Sequence, residues 1–329
     1  MRIAFLFPGQ GAQKVGMGKD LYNEYEEVRN VFEDASRISG IDIATLCFNG
    51  IRKEYDANSY RETEDIGEDL SQTENTQLAI ATMSYAILSL LKKEGIEAEI
   101  SAGLSLGEYV ALMYAGVITF EEGIKLLKRR GYLMQHEIPK DEYLMLAVIG
   151  IDSKVVEEVC TEVRNMRLFV VPANYNYSEQ TVISGKAEAV IEAEKLLKEK
   201  GVKKVIRLKT SGPFHTSLLE NAKKEFEKDL ALIKYKIPTK KVLKNIDGTS
   251  YLENDNMPKL LGEHIVSSVR FDKIISNMKA EKIDTFIEIG PGKALTGFIK
   301  KEFQDVNVIN ISDVTSLKEA LKILKEKGE

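Results

Sequence analysis

Apolar runs alternate with helical patterns along the chain, which is typical of an α/β protein with a mostly parallel sheet. The chain opens on an apolar run, Ile3–Phe7, which predicts a strand, and residues 49–72 are polar and predict an exposed excursion. The remaining elements predicted outside residues 143–209 are helices Asp20–Ser39, Thr76–Lys93 and Leu106–Ala115, a weak strand Glu97–Ala102, strands Asp284–Ile289 and Val306–Ile311, a helix from about Lys293 and a final helix Ser316–Glu326.

Residues 143–209 have a pattern of their own, in which strands and helices follow the order βαββαβ. That order predicts a ferredoxin-like module. Its position between α/β segments predicts a discontinuous large domain, 1–142 plus 210–329, with 143–209 as an inserted subdomain. The predicted elements of the module are Leu144–Ile151, Ser153–Val163, Leu168–Ala173, Thr181–Ser184, Ala187–Lys200 and Val202–Leu208.

Composition narrows the class of protein. Hydrophobic and charged residues make up 43% and 29% of the chain and its net charge is −5, so we expect a globular fold and no general nucleic-acid binding. No apolar run reaches the length of a membrane span, and the start of the chain lacks the features of a signal peptide. Cys47 and Cys160 cannot form a disulfide framework. We therefore expect reduced thiols, no membrane association and a cytoplasmic location.

The segment Gly103–Gly107 satisfies the Gly-x-Ser-x-Gly pattern of a nucleophile elbow. Such a turn presents a serine oxygen, here that of Ser105, between a strand and a helix. The backbone N–H of Leu106 would then lie near the positive end of that helix, where it could stabilise an oxyanion. The alternative is a tight turn in which the glycines serve packing and Ser105 caps the helix.

A serine nucleophile needs a base, and the chain offers three histidines. His215 lies in a turn-forming stretch just before a helix, from which functional groups are often presented. We expect His136 to be an exposed residue in or just after a helix. We expect His264 to be a structural histidine, in the core or on the surface, with its hydrogen bonds made. None has metal-ligand spacing, so we expect no metal.

Two glycine-rich segments, Gly9–Lys14 and Gly290–Gly292, lack the third glycine of a dinucleotide fingerprint. Gly18-Lys19 lacks both the first glycine and the Ser/Thr of a P-loop. A nucleotide-dependent enzyme is therefore disfavoured.

Taken together, these residues resemble the malonyl-CoA:acyl carrier protein transacylase (ACP S-malonyltransferase) family over nearly the whole chain. The resemblance occurs as eight ordered blocks, which are Phe7–Gln13 with Gly16–Gly18, Thr73–Gln77, Gly103–Tyr109, Arg130-Gly131 with Met134-Gln135, Ala173–Asn176, Val182–Gly185, Ser211–His215, and Glu288–Lys293 with Leu295–Gly297. It implies an α/β-hydrolase-like core with a parallel sheet and an inserted ferredoxin-like subdomain, in agreement with the module inferred above.

The resemblance also implies the chemistry. Ser105 would carry malonyl from malonyl-CoA to the phosphopantetheine thiol of acyl carrier protein in a ping-pong reaction with His215 as base, supplying fatty-acid synthesis without a bound cofactor. The backbone N–H groups of Gln10 and Leu106 would form the oxyanion hole. Arg130 would pair with the free carboxylate of malonate. Phe214 would crowd a branch on the α-carbon and so favour malonyl over methylmalonyl groups.

This sequence departs from the family pattern at several positions. Leu104 and Ser268 replace a histidine and a proline found in many members, and His264 replaces a glutamine. If that glutamine acts through its backbone carbonyl, His215 can still be oriented. The excursion at 49–72 is longer and more acidic than expected.

Other functions stay open on the sequence alone. A serine thioesterase or esterase would share the elbow and the base, and a trans-acting acyltransferase of polyketide synthesis or a catalytically silent subunit that binds carrier protein would share the fold. The stretch 195–209 holds seven basic residues against one acidic residue. It is either solvated surface or a docking face for an acidic carrier protein.

Overall fold

A parallel sheet lies at the centre of the protein, whose computed structural model describes residues 1–56, 65–210 and 212–326. Five strands pair in parallel in the order β10-β9-β1-β2-β7. The bounds of these strands, numbered in chain order, are β1 Ile3–Phe7, β2 Ile100–Gly103, β7 Lys241–Val242, β9 Thr285–Ile289 and β10 Asn307–Ile311. Their apolar side chains are largely buried, so the α/β fold predicted from the alternating pattern is confirmed.

Helices cover this sheet and pack against one another. Their bounds are α1 Lys19–Glu24, α2 Glu26–Ser39, α3 Ile43–Asn49, α4 Thr73–Lys93, α5 Gly107–Tyr114, α6 Phe120–His136, α9 Glu220–Leu230, α10 Met257–Val266, α11 Phe271–Ala280, α12 Ala294–Glu302 and α13 Val314–Glu326. The predicted single helix over 20–39 is wrong, because Tyr25 has extended backbone (φ −114°, ψ 126°) and separates α1 from α2. Tyr25 is partly buried against the core, a tertiary contact that a helical pattern does not encode.

The second sheet contains the βαββαβ elements predicted for the module. Its order is β6-β3-β5-β4-β8, and the first four strands pair antiparallel, as in a ferredoxin-like fold. The elements are β3 Tyr143–Ile149, α7 Ser153–Asn165, β4 Val170–Tyr177, β5 Gln180–Lys186, α8 Ala187–Glu199, β6 Lys204–Arg207 and β8 Val269–Arg270. β8 lies outside 143–209 and pairs with β4, so the second sheet extends beyond the predicted subdomain. The domain limits 1–142 plus 210–329 and 143–209 stay a prediction.

The two faces of this second sheet have different environments, because side chains alternate along a strand. Leu146 and Val148 of β3 pack against α7 and α8 in a small hydrophobic core. Met145 and Ala147, on the other face, line a cavity that also meets the carboxyl ends of β1 and β2. Ligands of parallel α/β folds bind at those strand ends.

The predicted excursion at 49–72 is only partly described, since residues 57–64 lie outside the described residues. The parts on either side are mostly exposed, as expected, although Leu70 is buried and belongs to the hydrophobic core. Among the residues that the structure describes, no helix is long and apolar enough to cross a membrane.

Candidate active site

Ser105 lies on a sharp turn between β2 and α5, with its backbone in the left-handed region at φ 54°. Two glycines permit the turn. A Cβ on Gly103 would lie 1.9 Å from the carbonyl carbon of Gly107, and one on Gly107 would lie 2.2 Å from the oxygen of Phe7. The strand–turn–helix geometry predicted from the motif is therefore present, and the alternative in which Ser105 merely caps a helix does not account for its strained backbone.

His215 is the histidine that the fold brings to Ser105. Its Nε2 lies 2.9 Å from Ser105 Oγ, and its Nδ1 lies 3.0 Å from the backbone oxygen of His264. Since a carbonyl oxygen only accepts, Nδ1 carries the proton and Nε2 is free to accept from the serine hydroxyl. His136 is exposed at the end of α6, as predicted, and does not line the cavity.

His264 contacts His215 through its backbone carbonyl, as expected for this position. Its side chain is buried and stacks on His215, with ring centroids 5.3 Å apart and an interplanar angle of 25°. Its Nδ1 lies 2.9 Å from Oε2 of Glu108, although neither atom makes a well-aligned hydrogen bond within the described residues. A second imidazole therefore lies directly against the candidate base.

Arg130 extends from α6 into the cavity and is fully buried. One terminal nitrogen donates to Ser105 Oγ (3.0 Å) and the other to Oε1 of Gln77 (2.7 Å). Burial lowers the pKa of the guanidinium from its usual value. Arg129 points to the surface and pairs with Asp229 at 3.0 Å, so only one of these adjacent arginines faces the cavity, as the helical turn requires.

Gln10 and Leu106 follow β1 and β2 respectively, and both line the cavity. Within the described ranges, neither backbone amide has a hydrogen-bond acceptor. The Gln10 side chain is held by α4, because its amide donates to Oγ1 of Thr73 at 3.0 Å. Two backbone N–H groups beside the serine are thus available to a ligand oxygen.

The cavity has a volume of about 470 Å³, a size typical of small-molecule sites. Phe214 is buried at its wall beside His215. The side chains that the module's sheet contributes are Met145, Ala147, Asn174, Asn176, Gln180, Val182 and Arg207. The described residues contain no cluster of His, Cys, Asp and Glu that could hold a metal ion.

Three polar residues of the site received no role from the sequence. Gln77 lies in a block that carried the family resemblance, but nothing in the pattern linked it to Arg130. Asn245 belongs to no motif, yet its side chain bonds to both sides of the Ser105 turn. Glu108 was visible only as part of the elbow block; it is buried, and one of its carboxylate oxygens accepts from the backbone N–H of Asn245.

A serine on a strand–helix elbow, hydrogen-bonded to a histidine at the carboxyl ends of a parallel sheet, is the arrangement of α/β enzymes that form acyl-serine intermediates. Comparison with known proteins narrows this class. The model of the acyl transferase domain family matches residues 4–322. A malonyl CoA-acyl carrier protein transacylase of Bacillus subtilis is 36% identical over 100% of this chain and 99% of its own length.

Solved structures agree with this comparison. The malonyl CoA-acyl carrier protein transacylase from Clostridium perfringens is 41% identical, with a TM-score of 0.90 over 100% of this chain and 98% of the other. A malonyl-transacylase solved in complex with its type II PKS acyl-carrier protein is 32% identical, with a TM-score of 0.89 over 98% and 100% of the two chains. The chain therefore belongs to the acyl transferase family and, within it, to the malonyl CoA-acyl carrier protein transacylases.

Proposed function

We propose that this protein transfers a malonyl group from malonyl-CoA to the phosphopantetheine thiol of acyl carrier protein through a malonyl ester on Ser105. The observation that carries the proposal is the buried guanidinium of Arg130 at 3.0 Å from Ser105 Oγ. In the described part of the chain, no carboxylate lies within ion-pair distance of it, and its Nε has no hydrogen-bond partner. Glu108 acts on the guanidinium only from beyond ion-pair distance, and a buried cation without a paired carboxylate is costly, so a ligand carboxylate is its expected partner.

The first half-reaction uses groups already in place. Ser105 Oγ attacks the thioester carbonyl of malonyl-CoA while Nε2 of His215 takes the hydroxyl proton. The backbone amides of Gln10 and Leu106 stabilise the oxyanion that forms on the carbonyl oxygen. The carbon–sulfur bond then breaks, and the CoA thiolate leaves with the proton that His215 holds.

The second half-reaction is the reverse with a different thiol. The phosphopantetheine thiol loses its proton to Nε2 of His215 and attacks the malonyl ester. The ester bond breaks, Ser105 regains a proton from His215, and malonyl carrier protein leaves. None of these steps uses a metal or a redox cofactor.

The acyl pocket accounts for a preference for malonate. Arg130 offers two terminal nitrogens to a carboxylate, whereas lysine would offer a single point charge. Gln77 accepts a hydrogen bond from one of these nitrogens, and Ser105 Oγ accepts one from the other. Phe214, buried beside His215, would crowd a branch on the α-carbon and so disfavour methylmalonyl groups.

Transfer and hydrolysis distinguish the proposed function from its alternatives. The purified protein is incubated with malonyl-CoA, with and without holo acyl carrier protein, and malonyl carrier protein and free malonate are both quantified. Transfer that far exceeds hydrolysis supports the transacylase. Predominant hydrolysis would indicate a thioesterase, and the absence of any acyl-enzyme would indicate a silent carrier-binding subunit.

The pH dependence of acyl-enzyme formation follows from the environment of His215. Burial lowers the pKa of this histidine well below 6.5, and the neighbouring His264 and Arg130 lower it further. Because a lowered pKa keeps the imidazole neutral, kcat/KM for acylation should stay on its plateau below pH 6.5 and fall only in more acidic buffer. His264→Gln keeps the carbonyl that orients His215 but removes the second imidazole, so its acid limb should move to higher pH. A wild-type acid limb at or above pH 6.5 would contradict this assignment.

The basic stretch 195–209 reaches the mouth of the cavity. Arg207 and Lys209 line it, Lys204 is the first residue of β6, an edge strand, and Lys203 precedes it; all four are exposed. Acyl carrier proteins are acidic, so we propose this surface as their docking face. Pairing between these basic residues and acidic residues of the carrier protein affects the association of the two proteins more than the rate of the chemical step.

Reversal of charge at Lys203 and Lys204 (K203E/K204E) should raise KM for holo carrier protein by about 3–10-fold at low salt, because exposed pairs are each worth only a fraction of a kcal/mol to about 1 kcal/mol. Acylation by malonyl-CoA alone should be unchanged. The matched control is K92E/K93E, a second pair of adjacent exposed lysines at the end of α4, near the amino ends of the parallel strands. An unchanged KM in K203E/K204E would make the stretch ordinary surface.

A further inference from the structure

Asn245 bridges the two sides of the Ser105 turn. It follows the short strand β7 and is fully buried. Its Oδ1 accepts from the backbone N–H of Ser105 at 2.8 Å, and its Nδ2 donates to the backbone oxygen of Gly103 at 2.7 Å. One side-chain amide therefore satisfies a backbone oxygen two residues before the serine and the backbone N–H of the serine itself.

These two bonds act on the strained part of the elbow. Ser105 has φ 54°, a left-handed conformation that an ordinary residue keeps only when its surroundings hold it. The pairing of β2 with β7 ends at Ser101, and Ser105 lies between β2 and α5, so the Gly103 carbonyl and the Ser105 amide each need a partner from elsewhere in the chain. Asn245, 140 residues away in sequence, supplies both.

Asn245 is itself held by buried groups. Its backbone N–H donates to Oε1 of Glu108 at 3.2 Å, and its backbone oxygen accepts from the N–H of Arg270 at 2.6 Å. Glu108 also accepts from the hydroxyl of Tyr251 at 2.6 Å, and its other oxygen lies 2.9 Å from His264. The same carboxylate thus contacts the residue that holds the nucleophile turn and the residue whose carbonyl orients His215.

We infer that Asn245 is a positioning residue for acyl transfer: it holds the Ser105 backbone so that Oγ meets Nε2 of His215, and Glu108 holds Asn245 in turn. The inference rests on the proposed role of Ser105. Asn245 does not line the cavity, so it acts through the serine and not on the substrate.

The test compares Asn245→Ala with Asn277→Ala. Asn277 is a matched control, because its Nδ2 also donates to a backbone oxygen, that of Gly248 at 2.6 Å, away from the cavity. Asn245→Ala should slow single-turnover acylation by malonyl-CoA by about 10²-fold, with the Kd for malonyl-CoA changed less than about 3-fold, since small misplacements of a reacting group cost this much. Asn277→Ala should leave the acylation rate within about 3-fold of wild type at equal folded fraction, judged by circular dichroism.

A second variant keeps the test valid if Asn245→Ala fails to fold. Asn245→Asp has the same shape and can still accept from the Ser105 amide, but the ionised carboxyl cannot donate to Gly103. When protonated, the introduced carboxyl regains that donor. Its acylation rate relative to wild type should therefore rise as the pH is lowered, a recovery that a purely structural role would not produce.

Inactivation by phenylmethylsulfonyl fluoride separates this inference from the proposed function, because sulfonylation of Ser105 needs no malonyl-CoA. Slower sulfonylation of Asn245→Ala than of Asn277→Ala supports the positioning role. Equal sulfonylation and acylation rates in the two variants, or a loss confined to the Kd for malonyl-CoA, would overturn it. If wild type is sulfonylated at Ser105 but never malonylated, the proposed function fails while the role of Asn245 is still measured.

Discussion

Ser105→Ala should remove the malonyl adduct that forms when the protein is mixed briefly with malonyl-CoA, and should lower transfer to carrier protein by at least about 10³-fold. The hydroxyl is the group that forms the ester, and its 2.9 Å contact with His215 and its 3.0 Å contact with Arg130 join the base and the acyl pocket. The adduct is measured by intact-protein mass spectrometry, and its position by fragmentation of the peptide that contains Ser105.

A matched control lies on the strand that leads into the elbow. Ser101 is fully buried on β2, and its hydroxyl has no hydrogen-bond partner within the described residues. Ser101→Ala should therefore form the adduct at the wild-type rate. An adduct of undiminished yield in Ser105→Ala would mean that the acyl group is carried elsewhere, and the covalent mechanism proposed for Ser105 would be wrong.

Arg130→Ala should reduce acylation by malonyl-CoA by about 10²–10⁴-fold, since loss of one partner of a buried charge pair costs about 3–5 kcal/mol. Acetyl-CoA lacks the free carboxylate, so its slower acylation should change much less and the preference for malonyl-CoA should fall. Arg130→Lys keeps the charge but cannot form a bidentate hydrogen-bonded pair with a carboxylate, so it should retain only part of the wild-type acylation rate. The measurement is the ratio of the two acylation rates in each variant.

Stability provides a second measurement on Arg130. Burial disfavours the charged guanidinium, and no carboxylate of the described residues lies within ion-pair distance of it, so Arg130→Ala should leave the free energy of unfolding unchanged or raise it, in contrast to the loss of activity. Arg129→Ala, which removes the neighbouring exposed arginine and its pair with Asp229, serves as the control and should retain full activity. An equal loss of malonyl and acetyl transfer in Arg130→Ala would show that Arg130 supports the site without recognising the carboxylate.

The fold was largely predictable because its elements are encoded by local periodicity. The strand and helix patterns of 143–209 predicted the βαββαβ order, and the second sheet has the matching strand order. The apolar run Ile3–Phe7 and the elbow Gly103–Gly107 likewise have the predicted conformations. The predicted helix over 20–39 was wrong because its interruption at Tyr25 accompanies a contact with the core that neighbouring residues do not specify.

By itself, the sequence determined the α/β class and identified Ser105 and His215 as candidates, since both lie in short segments whose residue pattern is recognisable locally. The family resemblance already assigned Arg130 to the acyl pocket, but only the tertiary structure shows that Arg130 is fully buried and hydrogen-bonded to Ser105, and that Asn245 hydrogen-bonds to both sides of the serine turn. These properties depend on which distant segments the sheet and helices bring together, and no spacing along the chain records them. Residues 105, 130, 215 and 245 become one site because strand ends and helix faces meet there.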